Sequence, residues 1–565
     1  MIISGLRLKE LRSIRRLVMV IGLVQLATAS GCSQQSDRTS EVAPPAAAYE
    51  LFSNLGSLHH PIATVNANAQ KFFDQGLTLV YAFNFQEAAR SFRHASQLDP
   101  RAAMTYWGTA LASGPNYNLP NIGHDREQSA YEAIQKAKAL VAEGPENERG
   151  YIDALAARFT SAPNFDSEKL DRAYATAMGN WSSSHPDDPD AKTLYAASLM
   201  DLHPKQLWTN DGRPNEDTPK IVAVLEGVLE RWPDHIGANH YYVHAMEASP
   251  FPERALPSAR RLETLVPAAG HLIHMAAHIF ARTGDYSGAV RSTLAAAKID
   301  QEYLRNHSSN TTYALGYAEH NLLFLSAVAS TQGNFDVAYK TSKDLESQAF
   351  ATLTNTPPAE SFTPAPLFVL LRFARWNELL LLPEPEKNLQ GLTFYWRYAR
   401  GCAFAAKGQA ESAIKERDQM EEIYKRLPLG RAFGMLPNDW AALHEMATYS
   451  LEARIMAARG DLADAIRQWR AAVAAEDRMH YHEPPDWYFP MRESLGAALL
   501  RNGQLPEAEQ VFRKDLSQNP SNPRTLFGLD KTLEAEGRKI DADHFRQLFD
   551  LVWKGDKNQL RIEDF

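Results

Sequence analysis

Small and aromatic residues recur along this chain in one fixed order, in units that fit a 34-residue helical repeat, and that pattern limits the fold more than any other feature. It opens in KFFDQGLTLVYAFNFQEAARSFRHASQLDP, from Lys71 to Pro100, where Gly76, Leu79, Ala88, Phe92, Ala95 and Pro100 hold fixed places. Taking Ala88 as the small residue of a second helix starts this unit at Ala69. The same register runs through Gly401, Phe404 and Ala413, through Gly460 and Ala465, and most clearly through Leu495, Gly496, Leu499, Ala508, Phe512 and Pro520. A last unit carries Gly537 and Ala542. Ala255 and Ala289 stand one period apart, so units beginning at Ile236 and Gly270 are contiguous. Another begins near Glu319, with Gly333-Asn334-Phe335 at its turn and Ala338 after it. A period of this length means helix pairs that cannot bury their own apolar faces and must stack to do so. The expected fold is an all-α solenoid.

These places resemble the tetratricopeptide repeat. The resemblance implies that the first helix of each repeat lines a concave surface through its second, fifth, ninth and twelfth places. In the two central repeats those places hold Gly237, His240, His244, Glu247, His271, His274, His278 and Ala281. Five of the eight are histidine, where 18 histidines among 565 residues would by chance supply fewer than one. His320 takes the second place of the next repeat, and His235 stands just ahead of the first central helix.

At about 100° per residue, His240, His244 and Glu247 fall in one narrow arc, and His271, His274 and His278 in another. Imidazoles at i and i+4 on a helix can converge on one metal ion. Glu247 would be a carboxylate ligand, or the base for a water held by the metal. So many donors exceed the four of a closed zinc site, so either two ions share the groove or some histidines hold ligands and substrate through hydrogen bonds. With imidazole dominant and thiolate absent, the expected cofactor is zinc, copper, iron or nickel rather than calcium or magnesium. The bland alternative is a polar groove of neutral histidines that satisfy one another.

A second concentration of unusual residues is RMHYHEPPDWYFPMRESLG, Arg478 to Gly496. Pro484-Pro485 forbids regular helix there. Two readings stay open: a lip closing over the groove, or packing of the joint between repeats. As a lip it would offer Tyr481, Trp487, Tyr488 and Arg492 to a substrate and Glu483 as a base; in the joint, Trp487 and Tyr488 would be buried. The period is interrupted at roughly Thr354–Pro366, and at Ser113–Asp125 and Trp208–Pro219, two insertions dense in Gly, Pro and Asn. They are loops. Insertions in solenoids often collect on the binding face, so Asn116 and His124 would cap the groove unless the loop only decorates the surface. Residues 141–201 read helical (YIDALAARF, KLDRAYATAM, TLYAASLMDL) but fall off the period, as degenerate repeats would.

The basic start MIISGLRLKELRSIRR and the short apolar run LVMVIGLVQLATA have the order of a secretory signal peptide over residues 1–31. Ala29-Ser30-Gly31-Cys32 resembles a bacterial lipoprotein processing site, with Ala29 where leucine is usual. It implies cleavage before Cys32 and acylation of that residue; Ser33 after it favours the outer membrane, facing the periplasm. Residues 32–50 then read as a polar Ala/Pro tether. Processing removes five basic residues and one acidic, making a chain already at −9 more acidic, which argues against nucleic acid as partner. Cys402 is the only other cysteine, so no disulfide can join body residues. Beside Gly401 it reads as a small buried residue. The domain plan is repeats over 51–235, a histidine-rich centre over 236–352, a degenerate connection over 353–393 and further repeats over 394–565.

Several stretches together resemble a family of bacterial tetratricopeptide proteins with a histidine-rich centre: FDQGLTLVYAFNFQEAARSF, AMTYWGTALASGPNYN, GANHYYVHAMEASPFPERALPSA, GHLIHMAAHIFARTGDY and YHEPPDWYFPMRESLGAALL. The resemblance implies an α-solenoid and brings no activity with it. The residues leave two main functions: an envelope metalloprotein, as hydrolase or oxidase with Glu247 or Glu483 as base, or a non-catalytic adaptor holding a peptide or partner protein in the groove. Metal buffering or delivery is a third.

Overall fold

A computed structural model describes residues 49–565, apart from 143, 163, 308–312 and 429. The expected signal peptide, Cys32 and most of the tether lie outside the described residues. Among those described there are 24 α-helices and no strand, and they form an all-α solenoid of the tetratricopeptide type.

The first hairpin is Ala67–Tyr81 (α1) with Phe85–Leu98 (α2), followed by Ala103–Ser113 (α3) and His124–Val141 (α4). Residues 141–201 form Glu146–Ala156 (α5), Ser167–Ser184 (α6) and Pro189–Met200 (α7), and Thr218–Arg231 (α8) leads to the centre. There Ile236–Glu247 (α9) pairs with Leu256–Leu265 (α10), Gly270–Arg282 (α11) with Tyr286–Asn306 (α12), and Glu319–Gln332 (α13) with Phe335–Thr352 (α14). The three central repeats thus start at the residues the period marks. Residues 353–393 hold a 3-10 turn, Pro357–Phe362, and two short helices, Ala365–Arg372 (α15) and Trp376–Leu381 (α16). Four hairpins close the array: Gln390–Ala406 (α17) with Ala410–Tyr424 (α18), Trp440–Ala458 (α19) with Leu462–Glu476 (α20), Met491–Arg501 (α21) with Leu505–Gln518 (α22), and Pro523–Ala535 (α23) with Lys539–Val552 (α24).

The period has a packing cause. The ring of Phe92 fills the space beside both Gly76 and Gly108, and Phe512 sits in the same way between Gly496 and Gly528. An outer helix thereby wedges an aromatic side chain between two inner helices. Turns within hairpins are capped locally: Asp285 accepts from the Gly288 N–H at the start of α12, and Asn334 from the Val337 N–H at the start of α14. Such caps are worth about 1 kcal/mol each. Two large apolar clusters run along the array, and α13 feeds both, with Phe324 and Val328 in one and Leu322 and Leu323 in the other. Cys402 is buried in the second.

The coil winds tightly enough for distant turns to touch. Arg282 Nη1 donates to Gln518 O at 3.0 Å, the Lys554 N–H to Gln332 O at 2.9 Å, and Asn210 Nδ2 to Met479 O at 2.7 Å. Late repeats therefore close over the groove of the central ones. No described helix is long and apolar enough to cross a membrane.

Candidate metal centre

Nearly every residue of α9 and α11 is buried, from Ile236 to Met246 and from Gly270 to Phe280. Two glycines make the crowding possible. A Cβ at position 237 would lie 2.6 Å from the Tyr81 ring, and one at position 270 would lie 2.0 Å from Asp300 Oδ1. His235 turns out to be the cap of α9. Its Nδ1 accepts from the Ala238 N–H at 3.0 Å, and its Nε2 faces Asp190 Oδ1 at 3.1 Å, so both ring nitrogens are spent.

The remaining histidines gather in two triads drawn from three successive repeats. His240, His244 and His271 have ligand nitrogens within 4.8 Å of one another, and so do His274, His278 and His320, the last from α13. The five on α9 and α11 are between 0 and 7 % exposed, and His320 is half-buried.

Their hydrogen bonds fix where the protons sit, because a neutral imidazole has one donor and one acceptor nitrogen. His240 Nδ1 lies 2.6 Å from Tyr81 O, which only accepts, so the proton is on Nδ1 and the lone pair on Nε2. His274 Nδ1 lies 3.1 Å from Asn321 Oδ1. The Asn321 amide is itself oriented by Nδ2 donating to Asp300 Oδ2 at 3.0 Å, so His274 Nδ1 is also protonated. Glu247 serves both triads, with Oε1 3.3 Å from His244 Nδ1 and Oε2 2.6 Å from His278 Nδ1. The second contact is off the ideal hydrogen-bonding axis, but a bare nitrogen lone pair there would repel the carboxylate. His240 and His274 therefore present Nε2 lone pairs inward, while His244 and His278 turn Nδ1 towards Glu247.

Two close arrangements of nitrogen follow. His274 Nε2 and His278 Nε2 face each other at 2.8 Å, and His244 Nε2 is buried with no partner. Two bare lone pairs at that distance repel, and either a cation between them or a proton on His278, paired with Glu247, relieves the repulsion. A proton on His274 is disfavoured, since burial first, and then the His278 and His320 rings, push the His274 pKa well below its ordinary value. Burial and neighbouring imidazoles do the same to His240, His271 and His320. Imidazole lone pairs oriented from behind by a carbonyl, an amide and a carboxylate are the donor set a transition ion takes. His240 Nε2 and His271 Nε2, 3.2 Å apart, are less strained, because His271 is free to donate.

Glu247 thus stands behind both triads, with Oε1 towards His244 and Oε2 towards His278. Burial opposes its ionisation, but the His278 and His244 rings outweigh this and keep its pKa well below the usual carboxylate range. Glu483 behaves oppositely. Burial raises its pKa despite Arg282 nearby, and it accepts from Tyr481 OH at 2.9 Å.

A cavity of about 110 Å³ lies against His244, His271, His278 and His320. Tyr117, Asn118, Tyr317, Lys205, Tyr481, His482 and Glu483 wall it in. The first insertion therefore reaches the site through Tyr117 and Asn118. Asn116 lines an adjoining cavity, and His124 is exposed at the start of α4. The late lip divides between its two readings. Tyr481, His482 and Glu483 wall the cavity, whereas Trp487 and Tyr488 pack into the joint against Phe368 at 5.3 and 5.0 Å between ring centres. Arg492 pairs with Asp477 at 2.6 Å.

Another cluster, His203 with Glu216 and Asp217, offers nothing comparable. His203 Nδ1 accepts from Asn215 Nδ2 at 3.1 Å and Nε2 faces Asp217 Oδ2 at 2.8 Å, so both nitrogens are occupied. Sequence reasoning missed Phe83, Tyr317 and Asn321. Phe83 stacks on His244 and His271 at 5.4 and 5.5 Å from a left-handed backbone with φ 57°. That conformation is uncommon for a bulky residue and concentrates at functional sites. Tyr317 sits on a π-helical turn, Ala314–Ala318, another feature frequent at such sites. Its place three residues before His320 on a helical path was the available signal.

No family model matches the sequence, and no curated protein matches it. Among solved structures, the human IFIT1 dimer with m7Gppp-AAAA is 12% identical, with 80% of this chain and 90% of that one covered and a TM-score of 0.34. Yeast Tom70 is 11% identical over 86% of this chain and 93% of that one, with a TM-score of 0.28. The TPR domain of P58(IPK) is 14% identical over 78% and 99%, with a TM-score of 0.21.

Proposed function

We propose that this chain is a transition-metal protein that holds an ion in each histidine triad, inside the wound groove of a solenoid tethered to the cell envelope by a lipid on Cys32. The observation that carries the reading is the convergence of six imidazoles in two buried triads, with ligand nitrogens within 4.8 Å of one another and His274 Nε2 and His278 Nε2 only 2.8 Å apart. His240, His244 and His271 would hold the second ion. When bound, such an ion supplies Lewis acidity or a redox centre. The chain's own groups then divide the labour. Glu247 and Asn321 hold imidazoles in one tautomer, and Tyr117, Tyr317 and Tyr481 exclude bulk water. Glu483, on the cavity wall with a raised pKa and a Tyr481 hydroxyl to orient it, moves the proton. Between the two carboxylates Glu483 is the better general base, because its pKa is raised while the His278 and His244 rings hold that of Glu247 low. A metal-dependent hydrolase or oxidase follows. The adaptor reading is less favoured because the groove histidines are buried beneath later repeats, where a peptide would need displayed side chains.

Elemental analysis of protein purified without a histidine tag tests the reading. Stoichiometric zinc, copper or iron is expected, and a His240→Ala/His274→Ala double variant with unchanged circular dichroism should lose it. Metal-free protein whose melting is unmoved by zinc, copper or chelator overturns it.

A further inference from the structure

Behind Phe83 and Tyr317 lies a second cavity of about 300 Å³, sharing Tyr317 with the cavity at the triads. Its charges are unbalanced. Arg126 is half-buried in it and Arg93 stands at its exposed rim, and among the described residues neither has a carboxylate partner. Arg126 spends only Nε, on Ser113 O at 3.2 Å. Asp125 is the one acid in the lining. A buried amide adds a second, independent signal. Asn116 Oδ1 accepts from the Asn118 and Leu119 N–H groups at 3.1 and 3.0 Å, which fixes its orientation and leaves Nδ2 buried without an acceptor. An unsatisfied buried donor costs free energy that a ligand oxygen would recover. The other walls are aromatic: Phe83 and Phe85, stacked at 5.3 Å, and Tyr317.

We infer that this cavity binds the carboxylate of a small aromatic acid on Arg126 and Asn116, with its ring among Phe83, Phe85 and Tyr317. The guanidinium supplies charge-assisted hydrogen bonds and the amide a further donor, while the stacked rings give the body of the ligand flat apolar walls. Burial lowers the Arg126 pKa, the cost of a half-buried cation that a bound carboxylate would offset. As a binding site this needs no metal. As the anchor of a substrate that reaches the triads past Tyr317 it rests on the metal reading.

Calorimetric titration of the metal-free full chain with benzoate, and with the neutral isostere benzamide, separates the two. Benzoate should bind at least about tenfold more tightly than benzamide, and Arg126→Gln should weaken benzoate by about tenfold or more, the effect of one charged hydrogen bond. Arg93→Gln, on an exposed side chain that cannot threaten folding, should weaken it a few-fold in the same direction. Benzoate that does not bind, or binds the Arg126→Gln and wild-type chains alike, or no better than benzamide, overturns the site. Metal content of Arg126→Gln should stay at the wild-type value. Benzoate binding to a chain that takes up no metal sinks the metal reading and keeps the carboxylate site, and the converse result does the reverse.

Discussion

At the scale of residues, Asn321 does much to define the site although it would touch no ion. Its amide accepts from His274 Nδ1 and donates to Asp300, so the His274 lone pair points inward by default. Asn321→Leu removes the acceptor at similar volume, and we expect about a 10- to 100-fold loss of metal affinity at the second triad. Competition against a chromophoric chelator measures it, and an unchanged affinity would show that His274 needs no such support. The triad histidines were legible from spacing, which put each trio on one face of its helix, together with the repeat resemblance, which turned those faces into the groove. Asn321 was not, because its role depends on Asp300 turning back from the preceding outer helix. Phe83 was less legible still. Its stacking on His244 and His271 requires a left-handed backbone and a contact spanning more than a hundred residues, neither of which any periodicity encodes. Pro484-Pro485 marked a break in the lip but not its direction, which is why Tyr481 and Trp487, six residues apart, end on different sides of it.

At the scale of elements, the close approach of α11 to α12 is paid for at Gly270. Replacing it with alanine would set a Cβ 2.0 Å from Asp300 Oδ1. Overpacking of this kind costs about 1–3 kcal/mol. A lowered urea midpoint with an unchanged slope is the expected sign. A second prediction concerns Asp190 at the start of α7, which faces His60 Nδ1 at 2.7 Å and His235 Nε2 at 3.1 Å and accepts from Tyr81 OH at 2.5 Å. Burial opposes ionisation of both Asp190 and His60; His235 and His60 together outweigh it for the aspartate, whose pKa falls well below its usual value, and Asp190 outweighs it for His60, whose pKa rises. The His60 contribution is complete below its unfolded pKa of about 6.5 and is lost as pH rises through the raised folded value. The Asp190 contribution is complete above about 3.9 and is lost as pH falls through the depressed one. Asp190→Asn should therefore lose most stability between about pH 4 and 6.5. Its urea midpoint should also decline less than that of the wild type from pH 5 to pH 8; parallel declines would rule out the His60 linkage. Helix starts at 236 and 270 were readable because they stand one period apart, and the start at 319 because Gly333-Asn334-Phe335 marks the turn of its hairpin. Residues 141–201 were not, since α6 runs 18 residues where the outer helices α2 and α22 run 14, so stacking survives while the period is lost.

At the scale of the molecule, the late repeats wind back far enough to supply Tyr481, His482 and Glu483 to the wall of the central groove. Arg282 fastens it, giving Nε to Glu247 O at 2.9 Å and Nη1 to Gln518 O at 3.0 Å. Arg282→Met keeps the apolar stem and loses both bonds. We expect about 2 kcal/mol of destabilisation and faster amide exchange in residues 481–483, read by hydrogen–deuterium exchange. Exchange unchanged there would mean that the lip is held by other contacts. The solenoid class was plain from the repeat, but its tight winding was not, because each cross-turn bond joins residues more than two hundred apart that no local pattern relates.

Order of manufacture follows from that closure. Once Gln332 has been added, a growing chain already owns all six imidazoles, while Tyr481, His482 and Glu483 have yet to be made. Cargo meets no late wall in the half-built protein, whereas in the finished one it must pass Tyr481, His482 and Glu483 or the other walls of the cavity. Exchange with the surroundings should then be slow for reasons of architecture, whatever the intrinsic strength of the bonds to nitrogen.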